Sequence, residues 1–182
     1  MNTYYQICPG AQVTRPEREL IKSRARAYSS QTRPTFVNIG VMWGCTVHCL
    51  RAGHLTARIV ALDIRYAWKI KYKELINVDW VKGNSTTYHK QFKGPIDLLL
   101  IDGDHHYATI SRDIAGWAPK VKVGGTVIFH DYKPTSHNLK QFPELADVKR
   151  AVNEWVQSER KQSRKWKTVG KVDSIVALRR TV

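Results

Sequence analysis

The sequence predicts a doubly wound α/β fold, a mostly parallel sheet of seven strands with an antiparallel C-terminal hairpin. Two observations carry this. From Thr35 onward short apolar runs alternate with stretches of helical periodicity, the pattern of strands joined by crossover helices. Two of the runs, at Ile96–Ile101 and Thr126–Phe129, have the Leu/Ile/Val content of strands buried on both faces. Each stops abruptly in polar residues, Asp102-Gly103-Asp104-His105-His106 after the first and His130-Asp131 after the second. Ligands of open α/β sheets bind just beyond the carboxyl ends of strands. The two strand ends are therefore expected to face one site.

The elements follow in order. Thr14-Arg15-Pro16-Glu17 has the form of a capping box. Leu20, Ile21, Arg24, Ala25 and Tyr28 then fall at helical spacing, so residues 1–34 read as an N-terminal helical extension whose apolar stripe covers the sheet or a substrate, with packing on the sheet the favoured role. A core over 35–182 starts with a strand at Thr35–Ile39. The turn Gly40-Val41-Met42-Trp43-Gly44 leads into a helix through Arg51, and Arg58–Ile64 makes a second strand containing Asp63. Tyr66–Ile76 reads as a basic helix, Val78–Val81 as a third strand, and Ile96–Asp102 as the fourth. Tyr107, Ile110, Ile114 and Trp117 mark one face of a helix that ends at Pro119 and a Gly124-Gly125 turn. Leu145, Val148, Val152, Trp155 and Val156 mark another, and Trp166–Gly170 with Ser174–Arg179 form the closing hairpin.

A chain of 182 residues with 42% hydrophobic content suits one domain over 1–182. No apolar stretch is long enough to span a bilayer, and the first residues lack the pattern of a secretory signal. Three cysteines, Cys8, Cys45 and Cys49, make no disulfide framework, so a cytoplasmic setting is expected. The formal charge of +15 favours an anionic acceptor or a polyanion such as RNA or DNA, and it equally serves solubility. The basic residues are scattered among acids rather than gathered in one arm.

Several residues are candidates for chemistry. Glycines at Gly40 and Gly44, between a strand and a helix, let backbone approach a ligand and expose free N–H groups. Asp63, about twenty residues on at the end of the next strand, is placed to bind ribose hydroxyls. The turn is not the Gly-x-Gly-x-x-Gly fingerprint, which favours a nucleoside without a pyrophosphate. Asn84 and Ser85 read equally as an adenine contact or as a turn with a helix cap. Asp102 and Asp131 end consecutive strands and together suit a hard divalent cation such as Mg²⁺, with His130 as a further ligand or a residue behind them. His105 is free to act as a general base near neutrality, while His106 reads as solvated or structural. Cys45 and Cys49 share a helix face and read as buried packing.

Phe36-Val37-Asn38-Ile39-Gly40-Val41-Met42-Trp43-Gly44, Asp63, Ile101-Asp102-Gly103-Asp104-His105-His106-Tyr107, Asp113, Trp117, Gly124-Gly125 and His130-Asp131-Tyr132 together resemble class I S-adenosylmethionine-dependent methyltransferases. The branch is that of macrocin-type sugar O-methyltransferases. The resemblance implies a Rossmann-like fold and S-adenosyl-L-methionine as cofactor. Asn38, Gly40, Trp43, Gly44, Asp63, Asn84, Ser85 and Asp102 would line it. It also implies a metal at Asp102 and Asp131 with His130 near, Asp102 and His105 as catalytic residues, and methyl transfer to a hydroxyl. Two departures stand out: Asn38 occupies a position that is usually acidic, and Cys45-Thr46 follows the second glycine where a serine is common. The alternatives are an RNA or DNA methyltransferase, and a basic nucleic-acid-binding protein on a degenerate methyltransferase fold.

Overall fold

The computed structural model describes residues 12–65, 75–163 and 165–182. Its strands are β1 (Thr35–Ile39), β2 (Arg58–Asp63), β3 (Val78–Lys82), β4 (Ile96–Ile101), β5 (Val121–Phe129), β6 (Trp166–Val172) and β7 (Ile175–Arg180). They form one seven-stranded sheet in the order β3-β2-β1-β4-β5-β7-β6. The first five run parallel; β7 is antiparallel to β5, and β6 to β7. The chain winds outward from β1 through β2 to β3, then crosses back to β4 and winds the other way. That reversal between β1 and β4 is where a doubly wound sheet opens a crevice.

Among the described residues the α-helices are α1 (Arg15–Arg26), α2 (Cys45–Gly53), the short α3 (Ser85–Tyr88), α4 (Tyr107–Trp117), the short α5 (Ser136–Gln141) and α6 (Leu145–Lys161). Successive strand side chains point to opposite faces, so β4 serves two cores. Leu98 and Leu100 join Ile21, Ala25 and Tyr28 of the α1 region and Val47 and Leu50 of α2. Leu99 and Ile101 join Ile110, Ile114 and Trp117 of α4 and Val148 and Val152 of α6. All six residues of β4 are buried. Asp97 stands in this strand because its carboxylate takes Thr35 N at 2.8 Å and Lys122 Nζ at 2.6 Å.

The capping box forms as expected: Glu17 N donates to Thr14 Oγ1 and Thr14 N donates to Glu17 Oε2. The apolar stripe of α1 packs on the sheet, and Tyr28 donates its hydroxyl to Thr126 Oγ1 at 2.9 Å. One local expectation changes. Gly124-Gly125 lies inside β5 rather than ahead of it, and the register against β4 shifts between Ile96 and Leu98. Gly124 supplies the left-handed backbone this bulge uses, with φ 82°. The basic helix expected over Tyr66–Ile76 lies, for 66–74, outside the described residues. Among those described, no helix is long and apolar enough to cross a membrane.

Candidate active site

The site is built first by the turn after β1. Three of its residues hold left-handed backbone: Gly40 (φ 77°), Met42 (φ 45°) and Gly44 (φ 80°), the residue that starts α2. Gly40 lies directly on the Asp102 backbone at the end of β4, while Asp102 N donates to Ile39 O at 2.9 Å. Asp63 anchors the turn from the other side. Its Oδ2 accepts from Val41 N at 2.7 Å and Met42 N at 2.9 Å, and its Oδ1 accepts from Arg65 N at 2.8 Å. Of roughly four lone-pair positions on a carboxylate, one is left among the described residues.

Over this turn and the ends of β1, β2 and β4 opens a cavity of about 610 Å³, bordered also by residues 83–86, Thr109, Arg112 and His130. That volume is in the range of small-molecule and cofactor sites. Asn38 is fully buried beneath it. Its Nδ2 donates to Gly40 O at 2.8 Å, and its Oδ1 has no hydrogen-bond partner. Trp43, Asp63, Asn84 and Ser85 line the cavity with Gly40, whereas Gly44 does not border it.

The second part is the polar cluster beyond β4 and β5, which are neighbours with Ile101 opposite Phe129. One ligand atom each from Asp102, His105 and Asp131 lie within 4.8 Å of one another. Asp131 is delivered by left-handed backbone, φ 53°, a conformation that Asp tolerates better than most residues. His105 Nε2 lies 3.1 Å from Asp131 Oδ2 yet has no aligned hydrogen-bond partner. His130 is buried behind them, its Nδ1 2.8 Å from Asp131 Oδ2 and 3.1 Å from Asp102 Oδ1. Two carboxylates and an imidazole at this spacing form a donor set suited to a divalent cation.

The electrostatics follow from this crowding. Burial pushes the Asp131 carboxyl upward, but His105 and His130 outweigh it and hold it well below the usual range. Burial opposes charge on His130, yet the Asp102 charge and contacts to Asp102, Asp131 and Glu17 raise it well above an ordinary histidine. His105 is raised as well, burial being overcome by Asp131 and then Asp102.

Glu17 is the residue that sequence reasoning missed at this site. Its side chain is only 1% exposed, and its Oε2 lies 3.5 Å from His130 Nε2. Its Oε1 accepts from Ser174 N at 2.9 Å and Ser174 Oγ at 2.6 Å. The only signal in the sequence was the capping box, which explains a glutamate on a surface helix but not a buried one.

The remaining candidates are placed as follows. Asn84 caps α3, its Oδ1 accepting from Thr86 N at 3.0 Å, and Ser85 donates its hydroxyl to Asp113 Oδ2 at 3.0 Å. Asp113 is fully buried, and burial raises its pKa to about 6 against the bond from Ser85. His106 is exposed and pairs with Asp104 at 2.7 Å, away from the cluster. Cys45 and Cys49 are both buried, as the packing role expected of them requires, and Cys49 is a free thiol.

Fold and site together define a doubly wound α/β protein whose ligand cavity sits where the sheet reverses direction. The chain belongs to the Methyltransf_24 family of methyltransferase domains, whose pattern matches residues 37–132, just over half of it. The uncharacterized protein y4gI of Sinorhizobium fredii is 33% identical over 61 residues, covering 32% of this chain and 7% of that protein. Among solved structures, an O-methyltransferase from Bacillus cereus in complex with SAH is similar at a TM-score of 0.71 and 16% identity, covering 97% of this chain and 86% of that one. The MycE methyltransferase of the mycinamycin pathway, in complex with Mg and SAH, is similar at a TM-score of 0.66 and 16% identity, covering 87% of this chain. The chain spans about half of MycE, 48% of its length. At these identities the likeness is one of fold.

Proposed function

We propose that the protein transfers a methyl group from S-adenosyl-L-methionine to the hydroxyl of a small acceptor, with a divalent cation such as Mg²⁺ assisting. The observation that carries this is the junction of two features in one cavity: a glycine turn held by Asp63, and Asp102, His105 and Asp131 at the adjoining strand ends. The family supplies the reaction class. The SAH and Mg held by structurally similar enzymes support the choice of ligands. The acceptor hydroxyl follows the O-methyltransferase named above.

When bound, S-adenosyl-L-methionine supplies a methyl group on a sulfonium sulfur. The chain's own work is positioning and proton handling. Gly40 gives the ligand close access to backbone and Gly44 turns the chain into α2, with Trp43 and Asn84 along the cavity wall. The remaining lone pair of Asp63 suits one ribose hydroxyl, and the orphaned Oδ1 of Asn38 suits a donor such as an ammonium group. Asp102 and Asp131 would hold the cation, whose charge lowers the pKa of an acceptor hydroxyl. His130 stays behind, its Nδ1 already spent on both carboxylates. His105, whose Nε2 approaches Asp131 to 3.1 Å, would take the hydroxyl proton as the methyl leaves the sulfonium sulfur, which departs as a neutral thioether, for the acceptor oxygen. The +15 charge, with Arg65 and Arg112 at the cavity, favours an anionic acceptor.

Calorimetry with S-adenosyl-L-methionine, with and without Mg²⁺, is the direct test; absence of binding in both would overturn the proposal. Titration with RNA and DNA at rising salt tests the acceptor class. Binding that falls steeply with salt marks phosphate contacts and moves the acceptor to nucleic acid.

A further inference from the structure

The segments outside residues 37–132 meet at the back of the polar cluster. Glu17 comes from α1 and Ser174 from the turn between β6 and β7, 157 residues apart in sequence. A glutamate third in a capping box is ordinarily solvated at a helix start. This one is buried, and each of its oxygens has partners: Thr14 N on Oε2, Ser174 N and Oγ on Oε1, and the His130 ring beside Oε2. The same turn holds the loop that follows Asp131, because Lys133 N donates to Ser174 O at 3.1 Å. His130 thus lies between Glu17, at ion-pair distance from its Nε2 though without an aligned hydrogen bond, and Asp102 with Asp131 on its Nδ1 side.

We propose that Glu17 is a positioning residue of the methyl-transfer centre, acting through His130. This rests on the methyltransferase reading above. A ring with both nitrogens facing carboxylates has one favourable orientation. Turned over, it would bring carbon-bound edges against Asp102, Asp131 and Glu17 and leave buried charge unpaired. Glu17 fixes which nitrogen faces the cluster, and the ring in turn fixes the spacing of Asp102 and Asp131. Partners standing behind a metal site or catalytic group in this way are typically worth about 10–100-fold in affinity or activity when removed. The N-terminal helix therefore does more than cover one face of the sheet.

The test compares Glu17→Gln, Ser174→Ala and the parent in the full chain. Ring ¹⁵N NMR of His130 is recorded without metal, and kcat and KM are measured with Mg²⁺. Glu17→Gln is expected to move the His130 ring resonances and to lower kcat about 10–100-fold, with KM for S-adenosyl-L-methionine unchanged. Ser174→Ala loosens the helix contact but leaves Glu17 beside His130, so it should leave the ring resonances in place. Should Glu17→Gln not fold, Glu17→Asp withdraws the charge from the ring while keeping it. Unmoved His130 resonances in a folded Glu17 variant would overturn the inference. So would an equal fall in kcat in the Glu17 and Ser174 variants. Failure of the methyltransferase reading looks different: the parent itself would not bind S-adenosyl-L-methionine.

Discussion

A β-carbon on Gly40 would stand 1.9 Å from the carbonyl oxygen of Asp102. The first and fourth strands therefore meet backbone to backbone at the floor of the cavity, and only glycine fits there. Gly40→Ala adds this overlap to a φ of 77° that L-residues avoid. A loss of about 2–5 kcal/mol in folding stability is expected from overpacking and left-handed strain, read by urea denaturation. A stable variant that binds ligand like the parent would show that the turn relaxes away from Asp102.

Asp63 holds the turn by two backbone N–H groups. Asp63→Ala removes charge-assisted bonds worth about 1.5–3 kcal/mol. The affinity for S-adenosyl-L-methionine should fall by about 10–150-fold, measured by calorimetry. Asp63→Asn keeps one acceptor oxygen and should fall between the two.

His105 can serve as base or as metal ligand, and the two roles separate in one experiment. As base, His105→Ala lowers kcat about 10²–10⁴-fold while the affinity for Mg²⁺ and for S-adenosyl-L-methionine stays unchanged. That is the outcome we expect. A parallel loss of Mg²⁺ affinity would make His105 a ligand instead.

Asp131→Asn replaces a carboxylate with an amide that binds hard cations poorly. The Mg²⁺ concentration giving half-maximal activity should rise, and excess chelator should stop the parent. Full activity in chelator would remove the metal from the mechanism.

Asp113 gives a pH dependence whose sign is fixed. Its carboxyl is raised from 3.8 to about 6 in the folded chain, so the folded state binds more protons than the unfolded state within that window. Stability then falls as pH rises from about 4 to 6, by up to about 3 kcal/mol from this group. Asp113→Asn cannot ionise, so the difference between variant and parent should grow over that window. Denaturation at pH 4, 5, 6 and 7 measures it. A constant difference would mean that folding does not raise the Asp113 pKa.

By itself the sequence determined the elements and their winding. Strand identity in Leu98–Ile101 and Val127–Phe129 comes from local apolar runs, and the helices from periodicity, both set by residues close together in the chain. The polar breaks at Asp102 and His130 marked the site for the same reason, and the five parallel strands and the closing hairpin appear as the alternation requires. The tertiary structure decided what those local rules leave open. It turned the capping glutamate of α1 inward to His130, because β7 and its turn bring Ser174 to the same place. It tied Asp63 to the turn and Ser85 to Asp113, where the sequence offered a ribose contact and an equal choice between adenine contact and cap. Partners such as Glu17 and Ser174 are separated by most of the chain, and no local periodicity encodes their contact. Glu17 is buried there while Ser174 is only half-buried, and the burial that strengthens the contact is a property of the assembled layers.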